Sequence, residues 1–214
     1  MIKESALIIV DVQNDFCPGG ALEVKEGDKV VPVINKISNR FYKVIATQDW
    51  HPENHLSFAS NHPGKKVQDI IDLNGIQQVL WPVHCVQGTK GADFHPELDL
   101  RPVDLIIRKG TNPQIDSYSA FFENDKKTST GLEYYLKGLG IKKVFLTGLA
   151  TDYCVFFSAM DSVKLGFETY VIIDATRGVD FPEGNIEKSL KAMKEDSDLS
   201  ISEAIEKGLN LTID

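Results

Sequence analysis

Cysteine is scarce in this chain: Cys17, Cys85 and Cys154 are the only three, widely separated and never arranged as C-x-x-C. Such spacing excludes a disulfide framework and a cysteine-rich structural zinc site, so any metal must be held by histidine and carboxylate. Long apolar runs are also missing, and none approaches the length of a membrane span. Met1-Ile-Lys-Glu-Ser5 enters a strand without the charged-then-apolar pattern of a signal segment, and the expectation is a cytoplasmic protein with no membrane partner. Positive charge is in deficit: 23 basic residues face 31 acidic ones for a net charge of −8, and no basic stripe is present. Nucleic acid is excluded on that ground. Low-complexity and linker-like stretches are lacking too, which leaves the 214 residues as a single domain, 1–214, with room for a sizeable core. A small-molecule ligand remains by elimination, and homo-oligomerisation stays open.

The apolar residues that are present fall into short continuous runs. Ala6-Leu-Ile-Ile-Val10, Lys43-Val-Ile-Ala-Thr47, Asp104-Leu-Ile-Ile-Arg-Lys109, Lys143-Val-Phe-Leu-Thr147 and Thr169-Tyr-Val-Ile-Ile-Asp174 read as strands covered on both faces. Between them lie helical patterns over 28–41, 131–139, 152–165 and 182–194, with Pro32 tolerable only near a first turn. Alternating strands and helices predict an α/β fold, three layers α/β/α around a mostly parallel sheet with right-handed crossovers. From Trp50 to about Pro102 the chain reads as one long loop region holding all five histidines, and such an excursion is usually functional. The residues from about Asp196 read as a short helix.

In a parallel sheet of this kind a ligand site lies at the carboxyl ends of the strands. Asp11, Asp49, Lys109 and Cys154 each fall at or just after a strand end, so the fold gathers them on one edge. Thr151 or Asp152 would cap the helix that carries Cys154 in its first turn, where unpaired amides and the helix dipole favour thiolate and could hold an oxyanion. Lys109 would support the thiolate, and Asp11 could move protons. Each residue also has a plainer reading: Cys154 as a small buried hydrophobe, Asp11 as a cap, Lys109 as a solvated charge. Asp49, His51 and His84 form a mixed carboxylate and imidazole set suited to one divalent ion, zinc foremost, with iron or manganese as alternatives; His55 is an optional fourth ligand. His62 and His95 read as packing histidines, and Cys17 and Cys85 as structural. Phe16 and Trp81 could face each other across a flat aromatic ligand or could both be core, with Tyr118 and Tyr153 as further wall candidates.

Taken together, these segments resemble a known family. Asp11-Val-Gln-Asn-Asp-Phe-Cys-Pro-Gly-Gly-Ala-Leu22, Asp49-Trp-His-Pro-Glu-Asn-His55, Trp81-Pro-Val-His-Cys85, Lys109-Gly-Thr, Asp116-Ser-Tyr-Ser-Ala-Phe and Gly148-Leu-Ala-Thr-Asp-Tyr-Cys154 are similar, in order, to the motifs of the nicotinamidase (pyrazinamidase) branch of the isochorismatase-like hydrolases. The resemblance implies the isochorismatase-like hydrolase fold and a triad of Asp11, Lys109 and Cys154. It implies a metal on Asp49, His51 and His84, and a cis peptide between Leu149 and Ala150 that turns the amides of Ala150 and Cys154 toward an oxyanion. Substrate contacts would come from Phe16, Leu22, Trp81, Tyr118 and Tyr153. The implied activity is hydrolysis of nicotinamide to nicotinate and ammonia through a thioester. Three rivals stand beside it: an N-carbamoyl hydrolase of the same superfamily, an isochorismate-type hydrolase, and a silent binding module. A zinc deaminase would need a Cys-x-x-Cys ligand pair that is absent.

Overall fold

The computed structural model describes residues 1–196 and 199–202. In chain order the elements are β1 (Ile2–Val10), α1 (Val30–Ile37), β2 (Phe41–Asp49), β3 (Ile70–Leu73), β4 (Ile76–Val79), β5 (Leu105–Lys109), α2 (Leu132–Gly138), β6 (Lys143–Leu149), α3 (Phe156–Lys164), β7 (Glu168–Arg177), α4 (Asn185–Glu195) and β8 (Leu199–Ser202). Six strands form one sheet in the order β5-β2-β1-β6-β7-β8. Every neighbouring pair in that sheet is parallel.

The strand periodicity decides which helix meets which face. Leu7 and Ile9 of β1 pack with Val30, Val33, Ile34 and Ile37 of α1 on one side of the sheet. Ala6, Ile8 and Val10 alternate to the other side, against Leu132 and Leu136 of α2, Ala159 of α3 and Met193 of α4. Because both faces of β1 are covered, its run is apolar without interruption, as a buried parallel strand requires. Pro32 sits in the first turn of α1, where its missing N–H costs no bond.

Two expectations are corrected. The region 50–102 is not all loop: β3 and β4 pair as an antiparallel hairpin. Its turn is Asn74-Gly75, both in the left-handed region. The segment after Asp196 is not a helix where it is described, since β8 adds in parallel to the sheet edge beside β7; the rest of that expectation lies outside the described residues. No helix among the described residues is long and apolar enough to cross a membrane.

The chain runs outward from β1 to β2 and β5, then returns to the other side of β1 with β6. That reversal opens a crevice at the carboxyl ends of β1, β2, β5 and β6, the ends that carry Asp11, Asp49, Lys109 and Cys154.

Candidate active site

Lys109 ends β5 opposite Asp49 of β2. Its side chain is wholly buried. The ammonium lies 2.8 Å from Asp11 Oδ2, donates to Asp49 Oδ1 and to the Ser117 carbonyl at 2.8 Å, and reaches Cys154 Sγ at 3.6 Å. Asp11, just beyond β1 and in the left-handed region, accepts a 2.6 Å bond from the Thr47 hydroxyl on its other oxygen. Atoms of Asp11, Asp49 and Cys154 all lie within 4.8 Å of one another. Three of the sequence candidates, with Asp49 as a fourth member, therefore converge on one buried charge cluster.

The turn that carries the thiol is wider than predicted. Thr151–Val155 forms a π-helical turn before α3, with Ala150 at its head and no side-chain cap. Neither Thr151 nor Asp152 caps it, which corrects the expectation; the Asp152 carboxylate instead accepts from the amides of Val179 and Asp180. The Leu149–Ala150 peptide is cis, and the Ala150 carbonyl accepts from both Tyr153 and Val155.

Burial decides the protonation states. It pushes the Cys154 thiol well above its ordinary range, with Lys109 opposing and Asp11 and Asp49 adding to the rise. The expected acidic cysteine is thus corrected: one ammonium and a helix start do not outweigh full burial beside two carboxylates. Asp11 is raised by burial, against Lys109, to about 6. For Asp49 burial also acts upward, but Lys109 and His51 outweigh it and hold the carboxyl well below its usual range. Lys109 keeps its charge, because Asp11 and Asp49 outweigh the burial that would remove it. A buried thiol next to an ionisable carboxylate and a fixed cation suits base-assisted nucleophilic attack.

Beside this cluster, backbone bridges across the 50–102 region bring the histidines together. His51 pairs with Val86, and Phe58 with Trp81. His51 donates through Nδ1 to the Gly110 carbonyl and His84 through Nδ1 to the Pro82 carbonyl, both at 2.8 Å. Each ring is thereby left with Nε2 as its free lone pair. These nitrogens lie 3.4 and 4.0 Å from Asp49 Oδ2, and His51 Nε2 is buried with no hydrogen-bond partner. One carboxylate and two imidazoles, with both outer nitrogens already engaged, fit a divalent ion, which would take up the Nε2 lone pair of each ring in its neutral form.

His55 stands differently. Its ring lies 4.3 Å from that of His51, but its Nδ1 is engaged by Ser57, 2.7 Å from the hydroxyl and 3.2 Å from the amide. It groups with His51 and Asp116 rather than with Asp49. His62 binds the Leu56 carbonyl and His95 accepts from the Glu97 amide, both outside the site. Cys17 and Cys85 are buried free thiols, and burial with Asp28 nearby pushes Cys17 up to about 11.

A cavity opens above Cys154, lined by Phe16, Leu22, Trp81, Tyr118, Tyr153 and Ala150 among others. The Tyr118 hydroxyl accepts from Trp81 Nε1 at 3.1 Å and so fixes the indole. Sequence reasoning missed four contributors. Asp116 and Val179 line the cavity. Thr47 orients Asp11, and the Gln13 side chain brackets the backbone of Asp49 through its amide and carbonyl. Thr47 and Gln13 could have been read from their places at a strand end and beside Asp11; nothing in the sequence marks Val179.

A wholly parallel sheet with a thiol, an ammonium and a carboxylate gathered at its carboxyl edge places this chain among α/β folds that build their ligand site at the strand ends. The chain belongs to the isochorismatase family, whose domain model, described as Isochorismatase domain, matches residues 5–199. It is 53% identical over 188 residues to a nicotinamidase of Acinetobacter baylyi, covering 88% of this chain and 87% of that one. Among solved structures it is similar to an Acinetobacter baumanii nicotinamidase and pyrazinamidase, with a TM-score of 0.91, 50% identity and coverage of 94% and 97%. It is also similar to a pyrazinamidase of Pyrococcus horikoshii in complex with zinc, with a TM-score of 0.74, 40% identity and coverage of 94% and 99%.

Proposed function

We propose that this chain is a nicotinamidase that hydrolyses nicotinamide, and pyrazinamide-type analogues, to the carboxylate and ammonia. The observation that carries this reading is the convergence of Cys154, Lys109 and Asp11 beneath an aromatic cavity flanked by Asp49, His51 and His84. The nicotinamidase relatives support the same substrate class.

In this reading Phe16 and Trp81 hold the pyridine ring and set its carboxamide carbon over Cys154. Asp11 takes the thiol proton as sulfur attacks, forming the C–S bond and a tetrahedral oxyanion. The amides of Ala150 and Cys154 hold that oxyanion, where one such donor is worth about 3 kcal/mol. Lys109 remains charged and steadies the sulfur and both carboxylates. Asp11 returns its proton to the amine as the C–N bond breaks and ammonia leaves, giving the thioester. The same carboxylate then deprotonates a water that attacks the thioester, nicotinate leaves, and the thiol is restored. Asp49, His51 and His84 would hold one divalent ion, zinc foremost, which when bound supplies a Lewis-acid anchor for a ring nitrogen.

Ammonia release from nicotinamide by the purified protein, before and after thorough chelation, tests the reading. Turnover that disappears on chelation and returns with added zinc is the expected result. Absence of ammonia release under metal-replete conditions would sink the proposal.

Gly110 offers a sharper check on the metal trio. It lies in the left-handed region, φ +62, and a Cβ there would fall 2.3 Å from the His51 ring. Gly110→Ala is therefore expected to displace His51 and lower affinity for zinc by about 10- to 100-fold, read by competition with a chelating indicator.

A further inference from the structure

Asp152 is a charged residue buried to 2% exposure, two positions before Cys154. A carboxylate at a helix start ordinarily serves its own helix, yet it makes no capping bond to the turn that follows. Its bonds run instead to a segment 27 to 33 residues onward. Oδ1 accepts from the Val179 amide at 2.9 Å, and Oδ2 accepts from the Asp180 amide at 2.9 Å and from Asn185 Nδ2 at 3.2 Å. The Asp152 backbone carbonyl takes a further 3.3 Å contact from Asn185. Gly178 comes so close that a Cβ would fall 2.9 Å from Asp152 Oδ1 and 2.6 Å from the Ile186 side chain. The next residue, Tyr153, adds a second fastening by donating its hydroxyl to the Phe181 carbonyl at 2.5 Å.

The fastened segment matters because Val179 lines the cavity above Cys154, and Phe181 packs edge-on against Trp81 at 6.4 Å. Asp180 within it adopts a left-handed backbone, φ 57, which a side chain other than glycine takes up at a cost. A short loop of that kind keeps one geometry only when its amides are satisfied at fixed points.

We propose that Asp152 is a positioning residue that fastens residues 178–182, and through Val179 sets how large a ring the cavity admits. It acts through the loop and touches neither substrate nor the reacting atoms. The inference rests on the nicotinamidase reading for its substrate, but the fastening can be read without any substrate.

Asp152→Asn tests it, because the amide keeps one acceptor oxygen and turns an NH₂ toward a backbone N–H. Hydrogen exchange at the amides of Val179 and Asp180 is expected to accelerate by about tenfold or more, while β1 and β6 stay protected. KM for nicotinamide should rise about tenfold with kcat within about threefold. The kcat/KM of ring-methylated nicotinamides relative to nicotinamide should rise by about tenfold, the scale of one methyl group in a tight pocket. Val179→Ala should reproduce the change in that ratio with unaltered exchange at Asp180. If Asp152→Asn does not fold, Asn185→Ala, which removes only the side-chain bonds from Asn185 to Asp152, carries the same readouts at lower amplitude. Unchanged exchange, or a lower kcat with KM and the substrate ratio both fixed, would overturn the proposal, the latter placing Asp152 in the support of the Cys154 turn alone. A wild-type protein inert toward nicotinamide would overturn the proposed activity, and the exchange data would still decide the fastening.

Discussion

Replacing Cys154 by alanine is expected to abolish ammonia release from nicotinamide, lowering kcat by at least about 10⁴-fold while nicotinate still binds. Sulfur is the acyl-accepting atom of the proposed thioester, so its removal eliminates the covalent path rather than slowing one step. Binding should survive because the proposed ring contacts, Phe16, Trp81 and Tyr118, line the cavity and do not depend on the thiol. Cys154→Ser should lose nearly as much, since burial that pushes a thiol up would act still more severely on a hydroxyl. Asp11→Asn is the companion variant, with an expected loss of about 10²- to 10⁴-fold. The pH profile carries the sign. Asp11 must be ionised to take the thiol proton, and its pKa is about 6, so wild-type kcat/KM should fall as pH drops through that value. The residual rate of Asp11→Asn should lack that acid limb. Rapid-quench measurement of acyl-enzyme in each variant checks the assignment, and a normal burst from Cys154→Ala would defeat it.

How far the chain could be read in advance depended on how much of each signal was local. Strands β1, β2 and β6 were legible because a buried parallel strand writes an uninterrupted apolar run, and their ends handed over Asp11, Asp49 and Cys154 directly. The β3–β4 hairpin was not, although Asn74-Gly75 is a strong hairpin signal. Its strands are four residues each and only Gln78, a polar residue, is buried, so neither side shows an apolar alternation. Strand β8 was hidden for a different reason: Leu199-Ser-Ile-Ser alternates, but it is brief and its partner β7 lies far back in sequence. The acidity expected of Cys154 failed because a helix start and a lysine can be seen in the sequence, whereas the distance to two buried carboxylates cannot. Asp152 failed in the opposite sense. Its place suggested a cap, and only the fold could show that its partners sit on another loop.

Lys109→Met should unfold the metal-free protein far more easily than wild type, by about 3–5 kcal/mol at neutral pH in urea titration. The ammonium is the shared counter-charge of Asp11 and Asp49, whose oxygens approach within 4.8 Å of each other in side chains that are all but buried. Taking it away leaves two like charges facing one another in a buried site. The pH dependence distinguishes this from a packing loss. In wild type, Asp49 has a folded pKa below its unfolded value, so it contributes stability that is lost as pH falls through that range. Without Lys109, Asp11, already at about 6 with the lysine present, moves higher, and Asp49 loses the largest of the groups that hold it low. The folded variant then binds protons that the unfolded chain does not, and its stability falls as pH rises through those values. Its deficit relative to wild type should therefore be greatest near pH 8 and shrink toward pH 5. Lys109→Met combined with Asp11→Asn should recover part of the loss at pH 8, because one of the unpaired charges is gone. A deficit that does not vary with pH would mean that the lysine acts by filling space. The predicted slope would instead mean that the same ammonium which steadies the nucleophile also holds the carboxyl ends of β1, β2 and β5 together, so that catalysis and folding draw on one charge.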